Sequence, residues 1–328
     1  MRKLATSLFP YLPLNRDVSV IILLHKLYLI LSRTLLFLIC FVLFGMIGLS
    51  IYISWALARP EVAPLQSNPL KSVNLSYENV EFMSSDSSHS LQGWYIPAAP
   101  PSTKTIIFSH GYGGNREEIW VPIYELARKA HELGYHVLMF DYGYVYVEER
   151  LMTGGVNESS ELLGAVNFAR DRGADHVVIW GFSMGAGTAL MAAMQTDLID
   201  GLILDSTFIP SPDTLHYNLQ QMLALYFPPE PLNTLLRWVY PLMNGAGFHD
   251  IPYRQLLQTT FQLPIFFIHG SADERSPYEM IRSIGINQIS TAHSQYWLVP
   301  GATHELVYRA KKDEYLERTT QFLQQIGL

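Results

Sequence analysis

The chain has 328 residues, enough for one large domain or one domain with an appendage. Hydrophobic residues make up 49% and charged residues 16%, an apolar balance for a soluble protein. The formal charge of −7, with no basic run in the C-terminal part, argues against nucleic acid as a partner, and a single cysteine, Cys40, excludes an intrachain disulfide, a C-x-x-C pair and a cysteine zinc site.

The apolar excess is localised. Residues 35–57 carry no charge and are long enough to cross a bilayer as a helix, with Arg33 and Arg59 at the flanks and Tyr52 and Trp55 where interfacial aromatics are expected. Upstream, residues 18–31 are apolar but interrupted by His25 and Lys26, which suits an interfacial helix or an extension of the span. Arg2, Lys3, Arg16, Lys26 and Arg33 precede the span, and only Arg59 and Lys71 follow closely. The positive side stays cytoplasmic, so residues 1–34 are expected inside and the large domain outside, in periplasm, cell exterior or organelle lumen. Ala56-Leu57-Ala58 also resembles a small-x-small cleavage site, but the apolar stretch is long for a signal peptide and Arg59-Pro60 is a poor start for a mature chain. An uncleaved anchor is the leading expectation and a cleaved signal the alternative.

Residues 58–72, with Pro60, Pro64 and Pro69, read as a linker to a domain over 73–328. Two loosely alternating runs, 73–83 and 91–96, flank the turn cluster Ser84 to Ser88 and predict an opening hairpin. Strands are then predicted over 105–109, 136–142, 177–182, 201–205, 264–269 and 295–299, with helices over 117–133, 159–172 and 313–326. This alternation predicts an α/β fold, a mostly parallel central sheet flanked by helices. Residues 207–262 break the rhythm. They hold seven prolines and the aromatics Phe208, Tyr217, Tyr226, Phe227, Trp238, Tyr240, Phe248 and Tyr253, and read as a helical cap over the carboxyl edge of the sheet.

The most informative string is Gly181-Phe182-Ser183-Met184-Gly185. It follows the apolar strand and precedes the helical run from Ala186 to Met194. In that context a G-x-S-x-G pentad forms a nucleophile elbow, with the serine exposed on a strained turn at a helix N-terminus. The alternative for the string alone is a Gly-rich turn whose serine caps the helix.

A serine hydroxyl needs a base in hydrogen-bond reach and a third group that orients that base. In strand–helix–strand proteins carrying this elbow the chain order is serine, acid, histidine. Asp273, in the turn after the strand ending at His269, and His304, after the final strand, occur in that order at strand ends. Asp205, just after the strand over 201–204, is the rival acid. The amide of Met184 and a second amide from the loop His110-Gly111-Tyr112-Gly113-Gly114, that of Tyr112, are the expected oxyanion donors, with the His110 side chain bracing the loop.

On these residues the domain resembles the α/β-hydrolase superfamily, and more narrowly the membrane-anchored serine hydrolases of the BEM46 and ABHD13 type and related bacterial enzymes. The matching strings are Phe108 to Asn115, Trp180 to Ala186, Leu204 to Thr207, Pro264 to Asp273 and Pro300 to His304. One departure stands out: relatives carry a D-Y-R-G-x-G-type turn where this chain has Asp141-Tyr142-Gly143-Tyr144-Val145-Tyr146. The resemblance implies cleavage of an ester, thioester or amide through an acyl-serine, without cofactor or metal. An esterase acting on a small-molecule or lipid acyl substrate leads. A peptidase or amidase on the same site, and a non-catalytic scaffold of this fold at the membrane, are the alternatives.

Overall fold

The computed structural model describes residues 14–147, 149–223, 228–288 and 290–327. Expectations resting on Arg2, Lys3, Tyr226 and Phe227 lie outside these. Internal contacts divide the chain into two bodies, one ending at Leu49 and one beginning at Ser50.

The first body is a single helix, α1, which runs Leu14–Leu57 and so carries its last two turns into the second. The apolar run 18–31 is thus a helical continuation of the charge-free stretch. Val20–Leu57 is long and apolar enough to cross a membrane. At ~1.5 Å per residue, its 38 residues are longer than a ~30 Å hydrocarbon core requires.

The second body is built on one eight-stranded sheet in the order β1-β2-β4-β3-β5-β6-β7-β8. Its strands are β1 Glu78–Met83, β2 Ser90–Ile96, β3 Lys104–Ser109, β4 His136–Phe140, β5 His176–Phe182, β6 Gly201–Asp205, β7 Ile265–Gly270 and β8 Gln295–Val299. The first hairpin is antiparallel and joins β4 antiparallel, while the strands from β4 to β8 all pair parallel. Central strands are buried on both faces, which explains their unbroken apolar runs. In β5, Val177 and Ile179 enter one core layer, while Val178, Trp180 and Phe182 enter the other.

Helices cover both faces. They are α2 Pro69–Val73, α3 Ile123–Glu132, α4 Val156–Asp171, α5 Met184–Ala193, α6 Pro212–Leu223, α7 Glu230–Asn244, α8 Tyr253–Gln258, α9 Tyr278–Asn287, α10 Val307–Ala310 and α11 Lys312–Gln325. The described part of the insertion between β6 and β7 holds α6, α7 and α8, of 12, 15 and 6 residues; α7 is longer than the short helices expected and carries Pro241 within it. Segment 58–68 is bound along the domain: Asn115 Nδ2 donates to Ala63 O at 2.7 Å, and Ser67 N donates to Glu117 Oε1 at 2.7 Å.

Two helix starts differ from expectation. The helix predicted from 117 begins at Ile123, because Pro122 marks its first turn and Glu117 and Glu118 are drawn inward as hydrogen-bond acceptors. The helix predicted from 159 begins at Val156, because the Glu158 carboxylate turns back to accept Thr153 N and Gly155 N.

Candidate active site

Ser183 sits between β5 and α5 with φ 50° and ψ −117°, a strained conformation for a residue with a Cβ. Its backbone is clamped from several sides. Ser183 N donates to Asp205 O at 2.9 Å, and Ser183 O accepts Ala186 N, Gly187 N and Phe208 N at 3.0–3.1 Å. The flanking glycines make the turn possible. A Cβ on Gly181 would stand 2.6 Å from Ala186 Cα, and one on Gly185 would stand 2.1 Å from Ser109 O.

Three side chains from three strand ends converge here. Ser183 Oγ lies 2.7 Å from His304 Nε2, and His304 Nδ1 lies 2.7 Å from Asp273 Oδ2. The second Asp273 oxygen accepts Arg275 N and Ser276 N, each at 2.8 Å. Burial opposes ionisation of Asp273, but the hydrogen bond and charge of His304, with His269 and Ser276 N, outweigh it and hold the carboxyl below its usual range. An ionised Asp273 accepts from Nδ1–H, which leaves the Nε2 lone pair facing the serine hydroxyl.

The rival acid is placed elsewhere. Asp205 is fully buried and accepts the Ser206 hydroxyl at 2.9 Å. Burial pushes its carboxyl up to about 6.

Ser183 is the N-cap of α5, so the Met184 amide has no acceptor within the helix, and the positive end of the helix dipole lies at the serine. The loop after β3 is held by a buried frame. His110 Nδ1 pairs with Gly111 O at 3.0 Å, its Nε2 accepts Tyr142 N at 3.2 Å, and burial pushes this imidazole toward the neutral form. Tyr144 Oη donates to Gly111 O at 3.2 Å. Gly111 N donates to Glu118 Oε2 at 2.5 Å.

Sequence reasoning missed the last of these partners, together with His269, whose Nε2 lies 3.4 Å from Asp273 Oδ2, and Glu305. A Cβ on Gly111 would stand 2.7 Å from Glu305 Oε1 and 3.5 Å from Ser183 Cβ, so Glu305 borders the same space. None of the three carries a local signal. His269 lies only four residues from Asp273 and Glu118 seven from Gly111, but turns of irregular backbone bring them together.

A cavity of 230 Å³ opens beside Ser183 and His304, lined mainly by apolar side chains that include Met152, Phe208, Tyr240, Phe248 and Leu57. Of the aromatics in the 207–262 segment, Phe208, Tyr240 and Phe248 line this cavity. Among the described residues no cluster of three or more metal-ligating side chains occurs.

A family model described as the alpha/beta hydrolase fold matches residues 104–250. Among solved structures, an esterase of Pyrococcus furiosus superposes with a TM-score of 0.66 at 22% identity, covering 82% of this chain and 98% of that one. Est1E from Butyrivibrio proteoclasticus superposes with a TM-score of 0.53 at 20% identity, covering 76% and 100%. An alpha/beta hydrolase from Penicillium, GrgF, does so with a TM-score of 0.57 at 18% identity, covering 77% and 100%. No curated protein matches the chain in sequence.

This chain has the α/β-hydrolase fold.

Within that fold the departure after β4 is accommodated locally. Gly143 stands where the resemblance led to the expectation of an arginine, and a Cβ there would lie 2.8 Å from Arg150 Cδ. Arg150 fills the space and pairs with Glu161 at 3.1 Å, and Glu161 also accepts Gly143 N at 2.8 Å.

Proposed function

We propose that the protein is a serine hydrolase that cleaves carboxylic esters through an acyl-serine, with Ser183 as nucleophile, His304 as base and Asp273 as orienting acid. The single observation that carries this reading is the unbroken chain Ser183 Oγ to His304 Nε2 and His304 Nδ1 to Asp273 Oδ2, both at 2.7 Å. The serine attacks the ester carbonyl as its proton passes to His304 Nε2. Asp273, kept ionised, stabilises the resulting imidazolium. The amides of Met184 and Tyr112 receive the oxyanion. The imidazolium then returns the proton to the departing alkoxide oxygen. Water attacks the acyl-enzyme by the same route in reverse, releasing the acid.

The apolar cavity supports an acyl chain as the group held at the serine, and the esterase neighbours support ester chemistry. The long apolar α1 and the lysine and arginine bias before it support an uncleaved anchor with a cytoplasmic N-terminus and an external domain, as in the BEM46 and ABHD13 type. A fluorophosphonate probe tests the nucleophile. The full chain should label, and Ser183→Ala should not. Labelling that persists in Ser183→Ala would remove Ser183 from the role.

A further inference from the structure

The last two turns of α1 belong to the body that carries Ser183. Ser50 and Ser54 are fully buried there, and Ala58 is 1% exposed. Asn244 Nδ2 in the cap donates to Ser54 O at 2.9 Å, and Tyr112 Oη, from the oxyanion loop, donates to Ala56 O at 3.3 Å. Met152 N donates to Ala58 O at 3.0 Å. Ile53 packs on the small apolar cluster of Leu219, Leu232 and Leu236, which joins α6 to α7.

These contacts give the helix end a place in the site. Leu57 lines the 230 Å³ cavity that holds Ser183. A second, wider groove of 760 Å³ is walled on one side by Tyr52, Ile53, Ala56 and Leu57, and on the other by α6. Both spaces share Leu57, Tyr112, Leu215, Asn218, Arg275 and His304, so the groove adjoins the cavity at the serine. Its rim carries large exposed apolar groups, Met222 at 73% and Tyr52 at 64%.

We propose that residues 52–57 are a wall of the substrate entrance, and that the substrate is an acyl ester of a bilayer lipid that reaches Ser183 along this wall. The inference rests on the serine-hydrolase and anchor readings above. The observation that selects a bilayer lipid is continuity along the chain. The wall is the end of the same uninterrupted helix whose preceding residues are apolar and long enough to span. Tyr52, Met222, Leu215 and Leu57 all line the groove and offer an acyl chain an apolar path. Removal of the helix at Ala58 would strip this wall and open the cavity.

The full chain, reconstituted in phosphatidylcholine vesicles, tests this with two substrates: a fluorogenic long-chain glyceride in the bilayer and water-soluble p-nitrophenyl acetate. Ala56→Trp narrows the groove without touching the inner cavity. The ratio of lipid to acetate turnover should fall at least tenfold while fluorophosphonate still labels Ser183. An unchanged ratio with labelling retained overturns the entrance and leaves the nucleophile reading intact. A wild-type chain that fails to label overturns the nucleophile reading itself.

Photolysis of a phosphatidylcholine with a diazirine in its acyl chain supplies a readout independent of that variant's folding. Adducts on α6 or on Met152 and Phe208 of the inner cavity support the route. Adducts confined to α1 overturn it.

Discussion

Glu118 Oε2 accepts the amide of Gly111 at 2.5 Å in a site where the glutamate is 1% exposed. A buried acidic side chain thereby fixes the residue next to the proposed oxyanion donor, Tyr112. Removing a single oxyanion donor in other serine enzymes costs ~10²–10³ in turnover. Loosening one through its neighbour should cost part of that. We predict that Glu118→Ala lowers kcat for a soluble butyrate ester by about tenfold or more, with KM within about twofold. Glu118→Gln keeps an acceptor for Gly111 N–H and should recover most of the loss. Equal loss in both variants would remove the positioning role.

The two candidate acids make opposite predictions. Asp273 is held ionised and touches His304, whereas Asp205 is buried and held toward its neutral form at about 6. The contact decides: Asp273 meets His304 Nδ1 at 2.7 Å, whereas Asp205 accepts the Ser206 hydroxyl. Asp273→Asn should therefore lower kcat by about 10⁴, the scale set by loss of the orienting acid in serine proteases. Asp205→Asn should stay within about tenfold of wild type. Steady-state kinetics on p-nitrophenyl butyrate decides between them.

What was legible in the sequence was whatever short-range chemistry dictates. The elbow is a local matter of two glycines, a strand and a helix, so Gly181 to Gly185 could be read directly. Asp273 and His304 announced themselves by following apolar strands, and the parallel sheet followed from the alternation of elements. Glu118 gave no such notice. It reads as a helix former beside Glu117, yet it sits at φ 36° and serves a loop seven residues back. The same holds for Leu57, which reads as the last residue of a span and lines the cavity at Ser183. Such contacts depend on how distant elements come together, which local periodicity does not encode.

The ion pair of Arg116 and Asp141 should carry measurable stability. Arg116 Nη2 and Nε donate to Asp141 Oδ2 at 2.6 and 2.9 Å, and Arg116 N donates to Oδ1 at 2.6 Å, with both side chains buried. The guanidinium also lies 5.2 Å from the Trp94 ring. Breaking a buried pair leaves an uncompensated charge, at a cost of about 3–5 kcal/mol. Arg116→Ala should lose about that much in urea unfolding. Arg116→Lys should recover only part, because an ammonium cannot reproduce the planar two-point grip. Full recovery by lysine would argue that charge alone matters.

Glu305 predicts how stability depends on pH. Burial pushes its carboxyl up to about 9, with the charges of Glu118, Asp205 and Asp273 adding to the rise and Arg275 opposing it. In the unfolded chain the same group ionises at the ordinary glutamate value near 4.3. Between these two values the folded protein keeps a proton that the unfolded chain has released. Each proton so retained lowers the unfolding free energy by at most about 1.4 kcal/mol per pH unit as pH rises. The buried imidazoles His110 and His269, held low by burial, act in the opposite sense only below their unfolded value near 6.5. Burial also pushes Glu118 up to about 7. Glu118 and Glu305 face each other, so the proton retained between pH 7 and 9 belongs to this pair of buried carboxyls. The wild-type thermal midpoint should fall across this interval, and Glu305→Gln, which carries no titrating proton, should flatten the fall and melt higher than wild type at pH 9. Parallel melting curves for the two proteins from pH 7 to 9 would show that Glu305 is not the group that holds the proton.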